Sequence, residues 1–489
     1  MAADVERPGQ SPATGLAAGS IGLPQVLFQS AANMSPAGAV AFSLLIGYLY
    51  AGEAMPLSML LVVVAIGLIA VCIGQLAKAM PAAGGLYTYA STALGPAVGF
   101  PVGWGYLLVE AFVAPIAAMF IGLTTEQVFT SSLHVDVPWW VWALAVLAVI
   151  CVFNFVGVRL ATGVGLVLGV LELLVISALA IWMIVKAGSA NTIQVFNPAH
   201  ALSGTWSGVF KGMVFGILAV QGFEAAAPLG EEARDPRRTV PRAVIGASLL
   251  VGGVMLLCSY GTVMGWGAGH IASYAKDPDP WNTLARHFWG AGWVIIFLAV
   301  VNSLFAAGNA GMAASSRMLF SMGRNHIAPA VFSRSHARHR TPYVAILTQT
   351  AVSVVLVLVL GLGFGVLNGF SIMAIALTVI VILVYIAICV SVPVYYLRQR
   401  RSEFRVIKHV VCPVLGVTAM VGPLYFQFAP LPAYPSGWGL WLALAWTAAG
   451  VGIVVWAVRR RPAVLRAAVR IFGQEPAPAR SPSPAPAAD

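Results

Sequence analysis

Long apolar stretches, separated by short polar or basic connections, run along almost the whole chain. Each stretch has the roughly 20 residues that a helix needs to cross a bilayer. Because every backbone polar group must be paired within a segment that crosses lipid, we expect these stretches to be helices. The pattern predicts an all-α integral membrane protein with twelve transmembrane helices, at residues 20–50, 55–78, 97–128, 138–157, 161–185, 207–229, 241–266, 291–320, 342–363, 367–397, 409–429 and 438–458.

The first and the sixth predicted helices contain residues that interrupt a helix. Pro36 lacks an N–H group and biases Ser35 away from the helical conformation. Gly222 permits unwinding, and Pro228 removes another donor. Interruptions at matching places in two halves of a chain are typical of transporters, where unwinding frees backbone groups for a solute at mid-membrane. Simple kinks are the alternative interpretation.

Composition narrows the function classes. Of the 489 residues, 60% are apolar and 9% are charged, whereas soluble domains are about 45–50% apolar and about 25% charged. This difference excludes an ordinary soluble enzyme, a disordered protein and a nucleic-acid binder. The five cysteines have no CxxC spacing, and the eight histidines lie mostly in predicted loops. We therefore expect no metal site, no cofactor and no catalytic residues.

The basic residues predict the orientation of the chain. Of the 27 lysines and arginines, 23 fall in segments on the same side as the N-terminus. Positive charge accumulates on the cytoplasmic side, so we expect both termini to be cytoplasmic. The chain then divides into a tail at residues 1–19, a twelve-helix domain at 20–458 in the lipid bilayer, and a disordered tail at 459–489.

Four glutamates, Glu110, Glu126, Glu172 and Glu224, fall within predicted helices. A charged side chain at the bilayer centre costs about 2.5–3.5 kcal/mol, so such residues usually face the protein interior. Gly165, Gly169 and Glu172 share a helical face, which predicts close packing of another helix there. We expect Glu172 to carry a coupling proton, and a neutral structural hydrogen bond is the alternative.

Three further groups are candidates. Glu110 shares a face with small residues and is a second candidate for proton coupling. Glu224 follows the interruption of the sixth helix and is either an anchor for the unwound segment or a gate that senses a substrate amine. On the eighth helix, polar and small residues share one face, which either holds helices together or, with Ser303, lines an ion site. The residues of that face are Asn302, Ala306, Asn309, Ala313 and Ser316.

Three motifs in sequence order resemble those of one family, the amino acid–polyamine–organocation superfamily. The motifs are GQLAKAMPAAGGLYTY at residues 74–89, with Leu94-Gly95-Pro96 after it; Gly222-Phe223-Glu224 with the acidic and basic residues of 231–242 after it; and SRMLFSMGRN at residues 316–325. The resemblance covers roughly residues 20 to 458.

The resemblance implies a fold and a site. The fold is the five-plus-five inverted repeat of leucine-transporter-like folds, with repeats at about 20–187 and 205–400 and two added helices at 409–458. The substrate lies between the interrupted first and sixth helices. On the first helix we expect contacts from Ser30, Ala31, Ala32, Asn33 and Met34, and on the sixth the motif implies contacts from Leu218, Ala219, Gln221, Gly222, Phe223 and Glu224.

The chain departs from the family pattern in two places. The usual glycine-rich interruption of the first helix is absent, and the segment from Ser30 to Pro36 replaces it. Many relatives that resemble proton-coupled carriers have a lysine about where Glu172 stands. An acid there binds a proton differently or favours a cationic substrate.

The sequence therefore predicts a secondary active transporter of amino acids in the plasma membrane, with proton-coupled uptake. An importer of amines or polyamines, or an amino acid exchanger, is the second interpretation, because Glu110, Glu172 and Glu224 leave room for a cation. A channel or scaffold subunit is the third. We do not expect an enzyme, since no nucleophile motif or ligand cluster is visible in the sequence.

Overall fold

The computed structural model describes residues 21–81, 85–157, 162–231, 233–324 and 328–460. The predicted tail at 1–19 and the part of the C-terminal tail beyond residue 460 lie outside the described residues, as do motif residues 82–84, 232 and 325.

The twelve predicted segments all contain helices, which we number α1 to α12 in chain order. They are α1a (Leu23–Asn33), α1b (Leu44–Ala51, continuous with the turns Pro36–Gly38 and Ala39–Ser43), α2 (Met55–Ala79), α3 (Pro96–Val128), α4 (Trp139–Val156), α5 (Thr162–Ala187), α6 (Trp206–Val220), α7 (Pro236–Trp266), α8 (Trp293–Arg324), α9 (Tyr343–Leu356), α10 (Val366–Gln399), α11 (Cys412–Phe428) and α12 (Trp438–Arg460). Shorter helices, Gly85–Leu94 before α3 and Pro280–Trp289 before α8, lie in the connections.

Eleven helical stretches among the described residues are long and apolar enough to cross a membrane. The first, Leu23–Ala79, has 57 residues, more than twice the roughly 20 that one crossing needs. Within it Gly52, at φ 55° and ψ −133°, ends α1b shortly before α2 begins at Met55. The chain is a multi-pass helical membrane protein.

Burial separates central helices from peripheral ones. In the most apolar 18-residue windows, 83% of the residues of α10 and 72% of those of α3 and α6 are buried, compared with 17% for α4. Apolar side chains on α4 can face lipid at no cost, because lipid tails are as apolar as leucine. The interruptions predicted for the first and sixth helices therefore lie among the helices that protein encloses.

Two glycines let α8 pack closely against α3. A Cβ atom on Gly311 would lie 2.6 Å from the Cβ atom of Val113, and one on Gly308 would lie 3.0 Å from that of Ala117. Small residues at such crossings let two backbones approach each other. This contact fixes the face of α3 that carries Val113 and Ala117.

The prediction of close packing at Gly165 and Gly169 on α5 is wrong. Nothing lies within 4 Å of the positions that their Cβ atoms would take. The close approach occurs further along, where a Cβ atom on Gly261 of α7 would lie 2.9 Å from the carbonyl oxygen of Ala180. The small residue that permits the contact is thus on α7, and not on the glutamate-bearing face of α5.

Candidate functional site

The first helix is interrupted where the sequence predicts. Helix α1a ends at Asn33, and Ser35 then adopts a left-handed conformation with φ 49° and ψ 62°. Pro36 starts the next segment, because its fixed φ suits the first position of a helix while its ring disfavours a helical residue before it. The prediction of an interruption between Ser30 and Pro36 is confirmed.

The sixth helix is interrupted as well. Helix α6 ends at Val220, Gly222 has φ 113°, and the chain continues as a 3₁₀ helix over Phe223–Glu231 that includes Pro228. Glycine adopts this positive φ without the steric cost that a side chain brings. The predicted interruption at Gly222 is confirmed, and the residues described between it and α7 do not return to α-helix.

The two interruptions touch each other. A Cβ atom on Gly222 would lie 3.0 Å from the carbonyl carbon of Asn33 and 3.1 Å from both the Asn33 oxygen and the Met34 nitrogen. The backbones therefore meet without an intervening side chain. Because a helix leaves its last C=O groups and first N–H groups without intrahelical partners, two sets of polar backbone groups come together here.

A cavity of about 80 Å³ lies beside this contact. Five helical segments supply its walls. The lining residues are Asn33, Met34, Ser35, Gly38, Ala39 and Ser43 from the first helix, Val113, Ile116, Ala117 and Phe120 from α3, Leu218 and Gln221 at α6, Leu304 and Ala307 from α8, and Phe370 and Leu377 from α10.

Some of the predicted substrate contacts line this cavity and others do not. Asn33, Met34, Leu218 and Gln221 line it. The other predicted residues pack elsewhere; they are Ser30, Ala31, Ala32, Ala219, Gly222, Phe223 and Glu224. Periodicity explains the division, because a helix presents only a stripe of its residues to one side.

Sequence reasoning places helices three, eight and ten at the pocket but does not identify which of their residues line it. On α3 the lining positions Val113, Ile116, Ala117 and Phe120 follow the i, i+3, i+4, i+7 spacing of one helical face. That spacing is present in the sequence, but apolar residues on a helix that is apolar all round give no indication of which face meets a cavity.

Glu172 holds the segment after the first interruption. Its Oε1 atom accepts a hydrogen bond of 2.8 Å from the backbone N–H of Ala37 and another from the hydroxyl of Ser303. Ser303 is also 3.0 Å from the hydroxyl of Ser35. Since Pro36 and Ala37 begin the helical segment, the carboxyl group sits at its positive N-terminal end. Glu172 on α5 thus connects the first helix to α8.

Glu224 is the centre of a second buried cluster. Its Oε1 atom accepts hydrogen bonds from the hydroxyl of Tyr106 on α3 and, at 3.1 Å, from that of Tyr385 on α10. Its Oε2 atom accepts one of 3.1 Å from the N–H of Gly222. Of the two readings of Glu224, this arrangement favours the anchor, because the carboxyl group ties the unwound segment to α3 and α10.

The other predicted groups lie near these two acids. Glu110 is half-buried on α3, one turn from Tyr106 and within electrostatic range of Glu224. Asn302 approaches the Glu172 carboxyl group, so the candidate ion-site residues Asn302 and Ser303 both face that acid. Further along α8, Asn309 accepts a 2.9 Å hydrogen bond from Asn154 of α4, which links these two helices.

The acidic and basic loop after the sixth helix contacts the start of α1a. The N–H of Arg234 donates a 2.8 Å hydrogen bond to the carbonyl oxygen of Ile21. In the same loop Asp235 and Arg238 form an exposed ion pair of 3.6 Å. Within the described ranges, no group of three or more histidine, cysteine, aspartate or glutamate side chains is arranged to hold a metal ion.

Comparison with known proteins identifies a family and several relatives with named substrates. The family model described as amino acid permease matches residues 25–462. The low-affinity putrescine importer of Escherichia coli is 26% identical over 314 residues, which cover 61% of this chain and 66% of the importer. The lysine-specific permease of Lactococcus lactis is 26% identical, covering 58% of this chain and 57% of that permease.

A third relative is named for a different substrate. The branched-chain amino acid permease of Bacillus subtilis is 27% identical over 315 residues, covering 61% of this chain and 66% of the relative. The chain thus spans just under two thirds, or less, of the length of these curated relatives.

Proposed function

The chain belongs to the amino acid permease family, and from this premise we propose that it is a secondary active transporter of amino acids in the plasma membrane. The observation that carries the proposal is the contact between the two interruptions, with a cavity beside it. A site enclosed by helices and walled partly by backbone suits a small zwitterion that crosses by alternating access.

The proposal includes an architecture. Twelve membrane spans would form two inverted five-helix repeats, about 20–187 and 205–400, with 409–458 appended and both termini cytoplasmic. The stretch Leu23–Ala79, counted once by length and composition, would then cross twice. The interruptions of the first and sixth helices support this pairing, because they are the first element of each repeat.

Backbone groups would bind the part that all amino acids share. The N-terminal end of a helix favours a carboxylate, and the carbonyl groups at a C-terminal end favour an ammonium group. The N–H groups of the segment starting at Pro36 that Glu172 does not already bind would supply the first. The ends of α1a at Asn33 and of α6 at Val220 would supply the second. Among the predicted contacts, the cavity residues Asn33, Met34, Leu218 and Gln221 would be nearest to the substrate.

Glu172 would couple a proton to this movement, with Glu110 as the second candidate. An ionised Glu172 carboxylate accepts hydrogen bonds from Ala37 and Ser303, and a protonated carboxyl group is a weaker acceptor. Protonation would therefore loosen the first helix from α5 and α8. The same oxygen atoms, with Asn302, would suit another cation if the driving ion is not a proton.

Reconstitution tests the transport function directly. Purified full-length protein in proteoliposomes, with an imposed pH gradient, is expected to accumulate a labelled amino acid above its external concentration. A passive channel would bring the two concentrations only to equality, and a scaffold subunit would give no uptake. Exchange without a pH requirement, after loading the vesicles with unlabelled amino acid, would identify an exchanger.

The variant Glu172→Gln tests the coupling role. Glutamine keeps an oxygen acceptor for Ala37 and Ser303 but cannot release a proton, so we expect gradient-driven accumulation to fall at least tenfold while exchange persists. Glu126→Gln is the matched control, since Glu126 is half-buried on α3 and is not part of the Glu172 or Glu224 cluster. Full pH-dependent accumulation by Glu172→Gln would contradict the role.

A further inference from the structure

We propose that the cavity selects neutral amino acids with an aliphatic side chain, of about the size of valine to isoleucine, over cationic amino acids and diamines. This inference rests on the proposed transport function and names its substrate class. It follows from how polar and apolar side chains are distributed around the cavity and from where the buried acids are.

The polar side chains of the cavity all come from the first helix and from the end of α6. They are Asn33, Ser35 and Ser43 on the first helix and Gln221 at the end of α6. These are the segments whose backbone groups can bind an α-carboxylate and an α-ammonium group. A bound zwitterion would therefore lie with its charged end towards α1 and α6, and its side chain would extend away from them.

The opposite part of the cavity is apolar. All eight lining residues from α3, α8 and α10 are apolar. Phe120 is 1% exposed, its ring is stacked on that of Phe42 with centroids 4.0 Å apart, and Phe370 meets its edge at 4.7 Å. These contacts hold the two aromatic rings of the wall in place. Together with Ile116, Leu304 and the remaining lining residues of α3, α8 and α10 they form a surface on which only apolar groups bind favourably.

A second positive charge would find no counter-ion in this part of the cavity. No charged residue among the described residues lines it. Glu172 is bound to Ala37 and Ser303, and Glu224 is bound to Tyr106, Tyr385 and Gly222. Two of the three acids that leave room for a cation in the sequence are therefore bound elsewhere, and the third, Glu110, does not line the cavity. A buried ammonium group without a partner is strongly disfavoured.

Aromatic rings do not replace the missing carboxylate. A cation can bind over the face of a phenylalanine ring, but one face of Phe120 is covered by Phe42. Such an interaction is also weaker than the cost of removing an ammonium group from water. The volume of about 80 Å³ suits an aliphatic side chain of the size of valine to isoleucine.

The test is a panel of labelled solutes offered to the full-length wild-type protein in proteoliposomes: leucine, isoleucine, alanine, lysine and putrescine. We expect leucine and isoleucine to be taken up with at least tenfold higher apparent affinity than alanine, since each methylene in an apolar pocket adds to binding. A hundredfold excess of lysine or putrescine is expected not to inhibit leucine uptake.

A pair of variants tests the missing counter-ion. Ile116→Asp places a carboxylate in the apolar wall, and Ile116→Asn is its neutral control of nearly equal size. Both are expected to weaken leucine uptake, but only Ile116→Asp is expected to gain inhibition by lysine, by at least tenfold relative to Ile116→Asn. Size-exclusion profiles and thermal midpoints verify that both variants fold. If they do not fold, the panel of solutes tested on the wild-type protein still decides whether the substrate class is right.

The outcomes separate the two levels of the proposal. Preference for leucine and isoleucine supports the substrate class. Uptake of lysine or putrescine equal to or better than that of leucine overturns the substrate class and leaves the transport function standing. Absence of uptake and exchange for the whole panel, with protein that is folded, overturns both.

Discussion

Ser35 and Gly222 show how single residues shape the interrupted helices. Ser35 has φ 49°, a conformation that costs a residue with a side chain about 1–2 kcal/mol. Pro36 follows Ser35 in the chain and disfavours a helical conformation there. The Ser35 hydroxyl lies 3.0 Å from that of Ser303. Gly222 has φ 113° and lies against the Asn33 backbone, so a side chain there meets both a conformational and a steric obstacle.

We therefore expect Gly222→Ala to destabilise the protein by about 1–3 kcal/mol, the usual cost of a strained backbone conformation. The thermal midpoint of the purified protein in detergent measures it. Gly363→Ala is the matched control, because Gly363 is exposed, has φ −73°, and has nothing within 4 Å of its Cβ position. Equal midpoints for the two variants would contradict the role of Gly222.

Individual residues also show what can and cannot be predicted from the sequence. The interruptions could be predicted because proline and glycine act on their own backbone. The partners of Glu172 and Glu224 could not, because Ala37, Tyr106 and Tyr385 are distant in sequence and nothing local indicates the pairing. The acids alone left room for a cationic substrate, and the contacts of Glu172 and Glu224 are the basis for proposing a neutral one.

At the scale of elements, the connection between α7 and α8 is fixed to α3 by a buried acid. Asp279 precedes the short helix Pro280–Trp289 and is 6% exposed. Its Oδ2 atom accepts hydrogen bonds of 2.5 Å from the hydroxyl of Thr124 and 2.7 Å from the side-chain amide of Asn282. The short helix is thereby held against the end of α3.

This acid predicts a pH dependence. Burial raises the pKa of Asp279 to about 6, although the hydrogen bonds from Thr124 and Asn282 oppose the shift. Because the folded protein binds this proton more tightly than the unfolded chain does, stability rises as the pH falls from above 6 towards 4. Relative to Asp279→Asn, the wild type is expected to gain about 1–3 kcal/mol over this range.

Thermal midpoints of both proteins at pH 7.5, 6 and 5 provide the measurement. Other groups titrate in the same range, so only the difference between the wild type and Asp279→Asn counts. Parallel curves for the two proteins would show that Asp279 does not link this connection to pH.

At the scale of the whole molecule, the proposed orientation makes a prediction about access. Ser189 lies in the connection after α5, and Ser402 lies in the connection after α10; both are exposed. Five helices separate them, so they belong on opposite sides of the membrane. Ser189→Cys is expected to react with a membrane-impermeant maleimide in intact cells, and Ser402→Cys only after permeabilisation.

The unsubstituted protein, which has five cysteines, is the control for background labelling. Reaction of both variants from outside would exclude an odd number of crossings between them. Labelling of Ser402→Cys alone would invert the proposed orientation, because it would place the arginine-rich connection outside.

Hydrophobic periodicity predicts the order of the helices well, because each membrane helix satisfies its own backbone and is defined by local sequence. It does not predict which faces meet. Gly165 and Gly169 on α5 have the spacing that favours close packing, yet the close contact is made by Gly261 of α7 against Ala180. Helix packing depends on the partner surface, which a single segment does not encode.

The contact between Gly222 and Asn33 has a consequence for finding similar proteins in genomes. The glycine-rich interruption that the family resemblance implies for the first helix is absent, and the room for two backbones to meet is provided from across the contact by Gly222. A search keyed to first-helix glycines would pass over chains built in this way.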